Sequence, residues 1–65
     1  MQSTIYLART AQGWVARAYG PYGEDIKRLF GTNELPTAFT ANASPALVLD
    51  QISRLNPDCE VRLAA

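Results

Sequence analysis

A chain of 65 residues makes one domain, spanning residues 1–65, and at that length folding buries only about 60% of the surface exposed when unfolded. Hydrophobic residues make up 48% and charged residues 18%, which excludes intrinsic disorder but leaves room for only a small core, one that self-association would help. Six basic residues balance six acidic ones, and a formal charge of zero removes both long-range attraction to nucleic acid or anionic membrane and the repulsion that keeps molecules apart.

Thr4 to Ala8 and Trp14 to Tyr19 are rich in β-formers, with Gln12-Gly13 as the turn of a hairpin between them. A two-residue turn or a four-residue loop makes paired residue numbers sum to an odd number, so that Ile5, Leu7, Trp14, Ala16 and Ala18 share a face. A three-residue loop would instead set Ile5 and Leu7 beside Val15, Arg17 and Tyr19. The first register is preferred, because two small alanines next to large side chains let a helix approach and Arg17 goes to solvent.

Gly20-Pro21 opens a helix in which Tyr22, Ile26, Leu29 and Phe30 lie on one face and Glu24, Lys27 and Arg28 turn away, with Gly31 as its stop. Thr32 to Ala43 is long for a connection in so small a domain, and Leu35, Pro36 and Phe39 are expected to pin it. Ser44-Pro45 starts the second helix. The serine oxygen accepts from free first-turn amides, and proline's missing N–H costs nothing at the first helical position.

Val48, Leu49, Ile52 and Leu55 form that helix's apolar stripe, opposite Asp50, Gln51, Ser53 and Arg54, and Ile52 is expected at its centre, over Trp14, Ala16 and Ala18. Asn56-Pro57 ends the helix, and Cys59, Val61 and Leu63 then alternate with Glu60 and Arg62 as in a half-buried strand. The expected fold is an α+β two-layer sandwich: a three-stranded sheet in the order β-β-α-α-β along the chain, with two helices packed on one face and the amino-terminal strand in the centre.

The equipment for catalysis is missing, and no enzyme activity is expected. There is no histidine, so Cys59 has no imidazole base, and Asp58, Cys59 and Glu60 do not give the ligand spacing of a zinc or calcium site; no metal or other cofactor is expected. Cys59 reads as a core thiol. Glu24 and Asp25 are sequence neighbours on a helix and point in different directions. Gly20-Pro21-Tyr22-Gly23 lacks the spacing of a phosphate-binding loop and is followed by acids where an anion would sit.

A lone cysteine in so small a domain speaks against a disulfide-stapled secreted scaffold and for the cytoplasm. Met1-Gln2-Ser3-Thr4 does not begin a signal peptide, and no apolar run approaches the roughly 20 residues that span a bilayer. Asn42-Ala43-Ser44 spells a glycosylation acceptor and Ser44-Pro45 a proline-directed phosphorylation site, but helix capping accounts for Ser44.

Two features are left over. In the preferred register the sheet face turned away from the helices carries Thr4, Tyr6, Val15, Arg17 and Tyr19, a surface that stays wet with tyrosines filling β positions by propensity, binds a partner sheet, or stacks bases. Leu47 falls on the polar side of its helix, where packing within the chain does not use it. The expected function is a noncatalytic interaction module that associates with itself through Tyr6, Val15, Arg17, Tyr19 or Leu47, with another protein partner also open. The alternative is weak binding of single-stranded nucleic acid by Tyr6 and Tyr19, with Arg9, Arg17 and Arg62 on phosphates, a reading that the balanced charge opposes.

Overall fold

The computed structural model describes residues 2–64 and places six elements in them: β1 (Ser3–Thr10), β2 (Gly13–Tyr19), α1 (Pro21–Phe30), β3 (Glu34–Pro36), α2 (Pro45–Leu55) and β4 (Cys59–Leu63). The fold is α+β, with a mixed four-stranded sheet in the order β3-β2-β1-β4. The β1–β2 and β2–β3 pairs are antiparallel, and β4 returns parallel to β1, which puts the amino-terminal strand inside the sheet as expected.

The sheet has four strands, not the expected three, and the extra one lies in the long connection. Backbone pairing holds that segment, together with Phe39, which packs against the core cluster as expected. Ala18 N–H donates to the Asn33 carbonyl at 2.9 Å and Asn33 Nδ2 donates back to the Ala18 carbonyl, while Trp14 N–H donates to the Phe39 carbonyl at 3.1 Å and Thr37 N–H to the Trp14 carbonyl at 3.0 Å. Three residues containing a proline carry no alternation to read, and proline fits an edge strand, where one row of donors faces solvent.

The hairpin pairs Ile5 with Ala18 and Leu7 with Ala16, so the residue numbers sum to an odd number and the expected face is formed. Its turn is Ala11-Gln12, one residue earlier than Gln12-Gly13. Gly13 resumes the strand at φ 128°, and a Cβ there would meet the Phe39 carbonyl oxygen at 2.8 Å, so glycine is what lets the end of the connection lie against β2.

No side chain at Gly20 can cap α1. Instead Ser3 Oγ, buried on β1, accepts from Tyr22 N–H at 2.9 Å. Gly23 lets the helix's first turn sit directly on β2, for a Cβ there would lie 2.4 Å from the Ala18 carbonyl oxygen. At α2, Ser44 accepts from Leu47 N–H as the sequence predicts.

The two apolar stripes are only partly buried. On α1, Ile26 is buried while Leu29 and Phe30 are 75% and 62% exposed; on α2, Val48 is fully buried, Leu49 and Ile52 are partly buried and Leu55 is 74% exposed. Val48, not Ile52, is therefore the innermost residue of its stripe, in one cluster with Leu7, Trp14, Ile5 and Ala18. The cause lies at the entry to α2, where Trp14 Nε1 donates to the Ala43 carbonyl at 3.0 Å and ties the helix's first turns to the sheet.

Candidate interaction surfaces

The face of the sheet away from the helices gathers four of the five residues singled out in the sequence. Alternation along β1 and β2 turns Tyr6, Val15, Arg17 and Tyr19 to this side, where they line one shallow concavity with Glu34 and Arg62. Leu47 is not among them: it lies in the first turn of α2, on the helix side, and is 47% exposed.

Tyr6 and Tyr19, half exposed, meet edge to face with ring centroids 5.6 Å apart and planes at 78°, the geometry that aromatic quadrupoles favour. The charges on this face are paired. Arg17 donates to Glu34 across β2 and β3, and Arg62 donates to Glu60 two residues away on β4. The hydrogen bond that Arg17 donates to Glu34 raises its pKa above the ordinary value, and the one that Arg62 donates to Glu60 does the same there. Both guanidinium groups stay ionised, each held by a carboxylate.

Arg9 departs from the arrangement that phosphate binding would need. It belongs to the helix side, with its guanidinium 4.9 Å from the centre of the Trp14 ring and one nitrogen donating to the Ala43 carbonyl at 3.1 Å. Arg9, Arg17 and Arg62 therefore do not converge on one track.

The helix side carries a second uncovered surface that sequence reasoning missed, because the apolar faces that include Tyr22 and Leu55 are expected to pack on the sheet. A groove opens between Tyr22 and Ile26 of α1 and Ile52 and Leu55 of α2, floored by Ile5 and Ala18. Its volume of about 250 Å³ lies below the roughly 300–1,000 Å³ usual for small-molecule pockets. A third uncovered feature is the outer edge of β4, since β1 occupies its other side.

Among the described residues no group of three or more cysteine, aspartate, glutamate or histidine side chains is placed to hold a metal ion, and no helix is long and apolar enough to cross a membrane. Cys59 is half buried and packs against the core cluster. Comparison with protein-family models, with curated proteins and with solved structures gives no match for this chain.

Proposed function

We propose that this chain is a noncatalytic interaction module of the cytoplasm that works by associating with a second copy of itself. One observation carries the reading. Among the described residues, six hydrophobic side chains are buried (Ile5, Leu7, Trp14, Ala18, Ile26 and Val48), one of them only an alanine, while eight large ones remain exposed. Single exposed apolar residues are ordinary, but here they gather: Tyr6 and Tyr19 on the sheet face, and Tyr22 and Leu55 along the helix groove. A second copy offers matching surfaces at no electrostatic cost, because the net charge is zero.

The test is the dependence of thermal unfolding on protein concentration. Association confined to the folded state stabilises it by mass action, so the midpoint should rise as the protein is concentrated over about two orders of magnitude. A midpoint that does not move over that range, with a melt that stays reversible, contradicts the proposal.

A further inference from the structure

The two edges of the sheet are not equivalent. The β3 edge is three residues long and ends in Pro36, the kind of blunted edge that resists pairing. The β4 edge is five residues, Cys59 to Leu63, with no proline or lysine to guard it. Ala64 N–H donates to the Leu7 carbonyl at 2.8 Å, so alternation turns the backbone groups of Glu60 and Arg62 toward β1 and those of Val61 and Leu63 outward. The outward amide of Cys59 is already bonded to the Asn56 carbonyl at 3.0 Å. Among the described residues no strand pairs with the outer N–H and C=O groups of Val61 and Leu63.

The side chains of β4 are complementary to themselves when the strand is reversed. An antiparallel copy centred on Val61 sets Val61 opposite the partner's Val61, Glu60 opposite the partner's Arg62, and Arg62 opposite the partner's Glu60. Cys59 then faces the partner's Leu63. In this register the two valines exchange both backbone hydrogen bonds, and Leu63 N–H reaches the carbonyl of the partner's Cys59. The Glu–Arg positions fall on the non-hydrogen-bonded sites, where opposing side chains come closest. Glu60 and Arg62 already pair within one chain, and the second copy closes them into a ring of four alternating charges on the open sheet face.

We propose that two copies of this chain join β4 to β4 antiparallel about a two-fold axis at Val61, giving one continuous eight-stranded sheet with both helix layers on the same side. The inference rests on the self-association reading above and names the surface that carries it. It also covers Leu63, which is 42% exposed in the single chain.

Charge exchange tests the register. Glu60→Arg makes both facing positions basic and Arg62→Glu makes both acidic, so each variant alone should dimerise at least about tenfold more weakly than the parent protein, as two repulsive pairs replace two attractive ones. Mixing the two single variants sets the introduced arginine of one chain opposite the introduced glutamate of the other and should restore the dimer. The double variant Glu60→Arg/Arg62→Glu should dimerise like the parent. Sedimentation velocity reads all four, with circular dichroism checking that each variant is folded; the intrachain Glu60–Arg62 pair is exposed, so its loss leaves the monomer intact. Single variants that dimerise as well as the parent overturn the β4 interface while leaving self-association standing. Weakened single variants that the mixture fails to restore overturn the register. A parent protein that is monomeric throughout overturns both this inference and the reading beneath it.

Discussion

Leu7→Ala is the substitution this fold should tolerate least. Leu7 is fully buried at the middle of the sheet, paired with Ala16 on one side and Leu63 on the other, and clustered with Val48 and Trp14. Truncation removes about three buried methylene equivalents at roughly 0.8 kcal/mol each, and a closed cavity adds to that, for a total of about 2–5 kcal/mol. At about 0.05–0.15 kcal/mol per residue the whole domain holds only about 3–10 kcal/mol, so Leu7→Ala should lower the urea midpoint severely or prevent folding. Ile52→Ala should cost less, about 1–2 kcal/mol, because Ile52 borders a groove open to solvent and its loss leaves no sealed hole. Leu55→Ala, at a site 74% exposed, should stay within about 0.5 kcal/mol in dilute solution. Urea titration followed by Trp14 fluorescence, at a concentration low enough to hold the monomer, gives all three values. An Ile52→Ala loss equal to that of Leu7→Ala would refute the argument, since it would mean that the groove is closed and the core is centred where the helix stripe alone suggests.

Gly23→Ala, which in an exposed helix would add stability, should here cost about 1–3 kcal/mol or more, because the new Cβ meets the Ala18 carbonyl oxygen; a thermal midpoint that rises would contradict the close approach of α1 to β2. Ser3→Ala removes the only side-chain acceptor for the start of α1 seen among the described residues and should cost about 0.5–2 kcal/mol by thermal melt, whereas Ser3→Thr should recover part of it. A labelled single-stranded oligonucleotide should show no anisotropy change at low salt up to millimolar protein, because Arg17 and Arg62 are each held by a carboxylate and Arg9 is on the other side of the sheet. Saturable binding abolished by Tyr6→Ala would reverse that expectation.

Local chemistry made much of this fold legible. Ser44-Pro45 and Gly31 marked helix ends because capping is decided by a few neighbouring atoms, and the alternation of Ile5, Leu7, Trp14, Ala16 and Ala18 carried the hairpin face because a one-residue slip would expose all five. What was not legible depends on distance. Glu34–Pro36 is a strand only because β2 lies beside it, and Ser3 caps a helix nineteen positions away. The stripes on α1 and α2 are only partly buried, because a stripe states only that a helix has an apolar side. How much of that side is covered depends on the spacing of the helices, which is fixed here by the contact of Gly23 with Ala18 and by the Trp14 to Ala43 hydrogen bond. The same limit applies to the surfaces: Tyr6, Val15, Arg17 and Tyr19 came together from strand parity alone, whereas the groove required the positions of both helices.

Self-association is the claim on which the functional reading stands, and sedimentation equilibrium of the unmodified protein addresses it most directly. Dimerisation makes the weight-average mass climb from 7.1 kDa at high dilution toward twice that value as the protein is concentrated, with one dissociation constant fitting every loading. A mass of 7.1 kDa that holds constant up to millimolar protein would contradict it, and would leave the exposed tyrosines, the helix groove and the β4 edge as features of a monomer.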